Sequence, residues 1–304
     1  QRKIDQALQA LRRLPFIFEV EGITLDHDAN GRTSLVVFLQ EADMGRVEGG
    51  LGYIPDPGEE GHSITGAFSM IFSNVLGMGR SGRVSLIRQG KESSDLELEY
   101  SEPWVGGTPI SGGLVFEIRQ RPGYMENQIG VEMELSLTPN MVVMLGFQKG
   151  NVHPDSSGFS RFLNGQTWDF TVGFEYDRRD NHWNPKSGVL YKGRILLGRA
   201  SRGGQETSRK SFHLNLSHFF PIGRRSLVAV GIHGASINEG TWVPLEARLR
   251  LGGSATVRGY REEAFLGTRV GWANIEWRLI LGRQSRGLIF FDFGILDDPK
   301  QVGS

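Results

Sequence analysis

The chain has 304 residues, with Lys+Arg and Asp+Glu balanced at 34 each and no cysteine. Zero net charge removes the electrostatic case for nucleic acid as a partner, and the lack of thiols excludes disulfides, thiol catalysis and cysteine-ligated zinc. With 42 glycines and 38% hydrophobic residues, no stretch approaches the eighteen or so consecutive apolar residues of a spanning helix; a membrane barrel remains open, because only alternate residues of its strands face lipid.

No signal peptide is visible at Gln1, where the sequence is charged and amphipathic. An exported protein carries one, so Gln1 is read as an internal start. Ile4, Ala7, Leu8 and Leu11 recur at helical spacing. Two strands are predicted next, over 16–26 and 34–40, joined by a turn at Asp28, Asn30 and Gly31. This helix–strand–strand unit is too small to be a stable domain alone and reads as the back half of something larger.

From about Arg46 onward a period of two takes over. Trp168, Phe170, Val172, Phe174 and Tyr176 interleave with Asp169, Thr171, Gly173, Glu175 and Asp177. Leu96, Leu98 and Tyr100 alternate with Asp95, Glu97 and Glu99; Val131, Met133, Leu135 and Leu137 with Glu132, Glu134, Ser136 and Thr138; and Phe212, Leu214 and Leu216 with His213, Asn215 and Ser217. Successive side chains of a strand point to opposite faces, so each strand has one apolar and one polar face.

About thirteen such strands are predicted. Tight turns are expected at Thr138-Pro139-Asn140, at Pro221-Ile222-Gly223-Arg224 and at 283–286, and longer loops over 55–62, 151–166, 200–207 and 238–269. Alternation of long and short loops is the pattern of an up-and-down barrel with two different rims, although 121–124 is shorter, and 180–187 longer, than that pattern wants. A soluble sandwich or lipocalin-like barrel shares the alternation. Strand lengths near ten residues and a polar face rich in Glu, Asp and Arg favour a membrane barrel with a hydrated lumen.

The longest loop, 238–269, carries Val257-Arg258-Gly259-Tyr260. In the next strand Ala273, Ile275, Trp277 and Leu279 share one face, which puts Asn274, Glu276 and Arg278 on the other. In the strand after it, Phe291 and Phe293 oppose Phe290, Asp292 and Gly294. If the apolar faces meet lipid, Glu276 and Asp292 point inward side by side and repel. Arg258 is the natural guanidinium to relieve them, tucking the loop into the barrel.

These residues resemble a known family. Val257-Arg258-Gly259-Tyr260, then Glu276, then Phe290-x-Asp292-x-Gly294, is similar to the outer-membrane superfamily of BamA, TamA, the mitochondrial sorting-assembly barrel and the two-partner secretion transporters. Asn74-Val75-Leu76-Gly77-Met78-Gly79 resembles that family's turn between barrel strands two and three, and Tyr100-x-x-Pro103-Trp104 the end of strand four. Asp177-Arg178-Arg179-Asp180-Asn181, with Pro185 and Gly188, resembles the turn between strands eight and nine. The resemblance implies a mainly β chain: a transmembrane antiparallel up-and-down barrel over 45–304, with about thirteen of sixteen strands, C-terminally truncated. It implies that 1–44 is the C-terminal half of a periplasmic POTRA domain, and that the arginine loop lies between strands eleven and twelve.

The resemblance further implies a non-enzymatic outer-membrane insertase or translocase. Its partners would be the lipid bilayer, unfolded outer-membrane clients or a secreted polypeptide, and periplasmic or lipoprotein accessory subunits, with no nucleic acid, no cofactor and no metal. The first barrel strand, with Arg46, Gly49, Gly50, Gly52 and Tyr53, reads as short, glycine-rich and able to open for client pairing. A passive porin is the alternative from another class, and predicts no locked loop. A hydrolase is a third: His62, His153, His182, His213, His218 and His233 are candidates, with His213 and His233 able to face the lumen, but no Ser/His/Asp spacing stands out.

Overall fold

The computed structural model describes residues 4, 8, 11, 17–27, 33–41, 45–55, 62–90, 92–159, 161–182, 184–282 and 285–298. Ile4, Leu8 and Leu11 are helical; the turn at Asp28, Asn30 and Gly31 lies outside the described residues. Strands β1 (Ile17–His27) and β2 (Thr33–Glu41) pair antiparallel as a separate two-stranded sheet.

The rest is one antiparallel meander. Its strands are β3 (Gly45–Pro55), β4 (His62–Val75), β5 (Arg80–Arg88), β6 (Ser94–Glu102), β7 (Ile110–Arg121), β8 (Tyr124–Thr138), β9 (Met141–Pro154), β10 (Gly165–Asp177), β11 (Gly188–Arg202), β12 (Gln205–Pro221) and β13 (Ser226–Glu239). After a long loop containing the short pair β14 (Leu249–Leu251) and β15 (Phe265–Gly267), β16 (Arg269–Ile280) and β17 (Arg286–Asp297) complete it. The order is sequential from β3 to β13 and then β16 and β17, thirteen strands, each paired to its neighbour. Among the described residues β3 and β17 are unjoined edges.

The faces are inverted relative to a soluble sheet. In β10, Asp169 and Thr171 are 1% and 6% exposed, whereas Phe170 and Val172 are 47% and 41% exposed. Phe147, Leu197, Phe212, Ile275, Phe291 and Phe293 also stand exposed on the outer face. Apolar burial is limited to small interior clusters, such as Phe219, Leu227, Ala229 and Ile280. What lies inside is held by hydrogen bonds and ion pairs, as groups removed from bulk water must be.

Strict alternation of loop lengths is not observed. Where a longer loop was expected over 200–207, β11 and β12 run on to a two-residue turn, Gly203-Gly204, with φ of 54° and 85°. Two successive positive-φ residues make the tightest hairpin connection, and glycine adopts them without strain. The loop expected over 151–166 likewise shrinks to 155–164, because β9 and β10 extend into it. At the other rim the turn 178–187 is long for a reason: Asn184 Nδ2 donates to the carbonyls of Gly282 and Ser285 (3.3 and 3.5 Å), four strands away, which requires the sheet to curl. The first strand of the meander, β3, is not short; its eleven residues exceed the nine of β5 or β6.

Candidate functional site: a loop anchored in the polar interior

The segment 240–268 connects β13 to β16. Register places Asn274 opposite Asp292 and Glu276 opposite Phe290, on the interior faces of β16 and β17. Arg258 reaches both acids. Its Nε and Nη2 donate to the two oxygens of Asp292 at 2.7 Å each, and its Nη1 donates to Glu276 at 2.7 Å. Its backbone N–H adds a third bond to Asp292, at 2.9 Å, the fourth that Arg258 makes. The guanidinium carbon lies 3.8 Å from the Phe290 ring centre, a cation–π arrangement. Asp292 also accepts from Asn274, whose amide donates to the Thr256 carbonyl as well (2.8 Å each), and Glu276 accepts from Arg278 at 2.6 Å.

Hydrogen bonds from Arg258 to Asp292, and then to Glu276, raise the guanidinium above its ordinary pKa, so it is a permanent cation. The Asp292 side chain is 2% exposed; without Arg258 it would be a buried charge with no cation.

The other motif residues divide. Val257 packs with Leu251 and Val270 in a buried cluster. Gly294 is needed for close approach: a Cβ there would stand 2.9 Å from Val257 and 3.1 Å from Leu251. Gly259 has φ of 93°, which turns the chain out of the site. Tyr260 is not brought to the acids; it is 57% exposed, in edge-to-face contact with Phe265 at 5.0 Å.

Two further anchors escaped the sequence reading. Arg121, at the end of β7, pairs with Asp95 of β6 (2.7 and 3.1 Å) and with Glu263 of the loop (3.0 and 2.5 Å). Arg250 of the loop also pairs with Glu263, at 3.0 Å, and donates to the Tyr124 hydroxyl of β8 at 2.7 Å. Burial pushes the Glu263 carboxyl up, but the hydrogen bonds from Arg121 and the charges of Arg250 and Arg121 outweigh it, leaving the group below the usual carboxylate range. Nearer the loop's root, Glu246 accepts from Arg202 at 3.0 Å, and Arg202 also pairs with Glu239. The loop is thus fastened to β16–β17, across the interior to β6–β8, and near its root to β11.

The β3 residues lie apart from this site. Arg46 is ion-paired with Glu48, Tyr53 is 59% exposed, and a Cβ on Gly52 would meet Thr65 Oγ1 at 2.6 Å. Both candidate interior histidines are engaged: His213 bonds to Ser211 at 2.9 Å, while His233 bonds to Asn215 at 2.8 Å and stacks on Trp272.

The family model of the Omp85 superfamily domain matches residues 74–302. Among solved structures the chain is similar to BamA from Haemophilus ducreyi lacking POTRA domains 1-3, at 17% identity and TM-score 0.58, covering 98% of this chain and 66% of that one. It is similar to CdiB from Acinetobacter baumannii (14%, TM-score 0.61, 99% and 59%) and CdiB from Escherichia coli (15%, TM-score 0.61, 99% and 61%). The chain therefore spans two thirds or less of the length of these structures. No curated protein matches.

Proposed function

Because the chain belongs to the Omp85 superfamily, an outer-membrane insertase and transporter family, we propose that it assists β-barrel clients in folding into the bacterial outer membrane. On this reading the apolar outer face meets lipid, the polar interior is hydrated, and β1–β2 with the helical residues before them is the back half of a periplasmic POTRA domain. The observation that carries the reading is the loop drawn into the interior by Arg258, with its bidentate grip on Asp292. On this reading β3, held to β4 along one side, is the strand that would pair with a client strand by β-augmentation. Catalysis is not part of the proposal: Ser211, the hydroxyl beside His213, donates its proton to the Ser236 carbonyl at 3.0 Å.

A second reading, passage of a secreted polypeptide, is favoured by the interior wall, where Glu97, Glu117, Glu132 and Glu134 alternate with Arg83, Arg119 and Arg194. One experiment addresses both. Photo-crosslinkers are placed at Leu51 on β3 and at Gln128 on the interior wall of the full-length protein in cells. Adducts to outer-membrane precursors from Leu51 support insertion, and adducts to an exported polypeptide from Gln128 support transport. Absence of polypeptide adducts from both positions would sink the proposal.

A further inference from the structure

The outward face carries cations at one rim that the loop lock does not use. Cross-strand register aligns Lys149 of β9, Trp168 of β10 and Arg199 of β11 in one row, and Lys210 of β12 stands opposite Leu197, one row lower in the same face. Directly below them lie the exposed apolar side chains Phe147, Phe170, Ile195 and Phe212. Lys149 Nζ sits 4.4 Å from the Trp168 ring centre. Beside Lys210 a cavity of about 660 Å³ opens, floored by Ile195, Leu197 and Phe212 and bordered by Trp242 and Arg269.

Acids near this row are few and mostly peripheral. Arg199 meets Glu206 at 3.8 Å with both side chains at least 70% exposed, and Arg269 meets Asp297 at 3.5 Å. Asp298 borders the cavity but is bonded to Arg248. Among the described residues no acid lies within ion-pair distance of Lys149 or Lys210. At the opposite rim the outward cation Arg80 is neutralised by a bidentate bond to Glu102 (3.0 and 2.7 Å), and Tyr176 and Tyr191 stack there instead. At that opposite rim the exposed cations Arg178, Arg224 and Arg225 lie in the turns beyond the strands, whereas Lys149, Arg199 and Lys210 stand on the strands themselves, directly above the apolar floor.

We propose that Lys149, Arg199 and Lys210, with the adjoining cavity, bind a phosphorylated lipid of the leaflet at the long-loop rim, the phosphate on the cations and an acyl chain over Ile195, Leu197 and Phe212. Cations at the boundary of an apolar band sit at headgroup depth, where an anionic group is the partner that spares them desolvation. A Lys stacked on an outward Trp is held at that depth by the indole, which itself prefers the interface. The apolar floor adds the contact area that a free phosphate would not exploit. This inference rests on the membrane placement proposed above.

The test reconstitutes the full-length protein in phosphatidylcholine vesicles doped with bis-phosphorylated lipid A, or with its dephosphorylated form. A photo-crosslinker at Ser208, the cross-strand neighbour of Arg199, reports the rim, and one at Ile195 reports the apolar band. The expected result is a strong preference of the Ser208 probe for the phosphorylated lipid, reduced about fivefold per cation removed in K149Q, R199Q and K210Q. High salt applied to the unmutated protein should weaken the preference in the same way, which covers the case of a variant that folds poorly. Inorganic phosphate should not compete. Equal adduct yields from both lipids, effective competition by inorganic phosphate, or an unchanged preference in the triple variant overturn the lipid site while Ile195 still labels acyl chains. Loss of labelling from Ile195 overturns the membrane placement and this inference with it.

Discussion

Arg258 concentrates its four hydrogen bonds on two carboxylates, but the two depend on it unequally. Glu276 keeps Arg278 when the Arg258 side chain is removed, whereas Asp292 keeps only neutral donors, the Asn274 amide and the backbone N–H of residue 258. Truncating Arg258 therefore leaves a nearly inaccessible carboxylate without a cation, and R258A should lower unfolding stability by about 3 kcal/mol, the low end for breaking a buried pair. R258K keeps one charge and loses the planar fork, so it should fall between. In R258A/D292N the stranded charge is gone, and part of the loss should return. Denaturant midpoints of the vesicle-inserted protein measure all three; equal midpoints for R258A and the parent would contradict the buried-pair argument. Gly294 makes a separate, steric demand. G294A should cost about 1–3 kcal/mol through overpacking against Val257 and Leu251, while the ion pairs across the interior stay intact. A midpoint for G294A equal to that of the parent would mean that the loop backs away at little cost.

At the scale of elements, the loop 240–268 behaves as a strut with separate footings. Glu263 has φ of 55°, a conformation that disfavours a residue with a side chain and costs about 1–3 kcal/mol. The bend aims its carboxylate at Arg121 and Arg250, so strain and ion pairing are coupled there. Because the folded pKa of Glu263 is depressed, its contribution is present above the unfolded value of about 4.3 and lost as pH falls through the folded value. Spin labels on the loop near Glu263 and on β7 should therefore stay together through the ordinary carboxylate range and separate only as the pH falls below it, and should already be separated at neutral pH in E263Q. A distance unchanged in E263Q would show that Arg250 and Tyr124 hold the loop alone.

The Arg258 footing was legible in the sequence because its acids sit on strands that follow the loop directly and alternate cleanly. The Glu263 footing was not. Glu263 and Arg121 are 142 residues apart, and an arginine or aspartate on an interior face looks the same whether it meets a loop or water. Strand positions were readable from the period of two. Loop lengths were not, since polar residues near Gly203 and Asn151 suit a loop and an extended hairpin equally.

At the scale of the molecule, the Glu263 and Arg258 footings stand on strands far apart in sheet order, β6–β8 and β16–β17, and the loop that carries both crosses the space that the curled sheet surrounds. A loop held at two interior points obstructs that space even when one of them is released, because the remaining footing keeps most of the chain inside. Conductance of the full-length protein in planar bilayers should then respond non-additively. R258A or E263Q alone should raise it modestly, and the double variant should raise it by more than the sum, the signature of two contacts that restrain one element. If R258A and the double variant both conduct as the parent does, the loop is not what limits passage, and the porin reading regains its footing. If R258A alone reaches the double variant's conductance, the contacts to β6–β8 are incidental and the lock is Arg258 by itself.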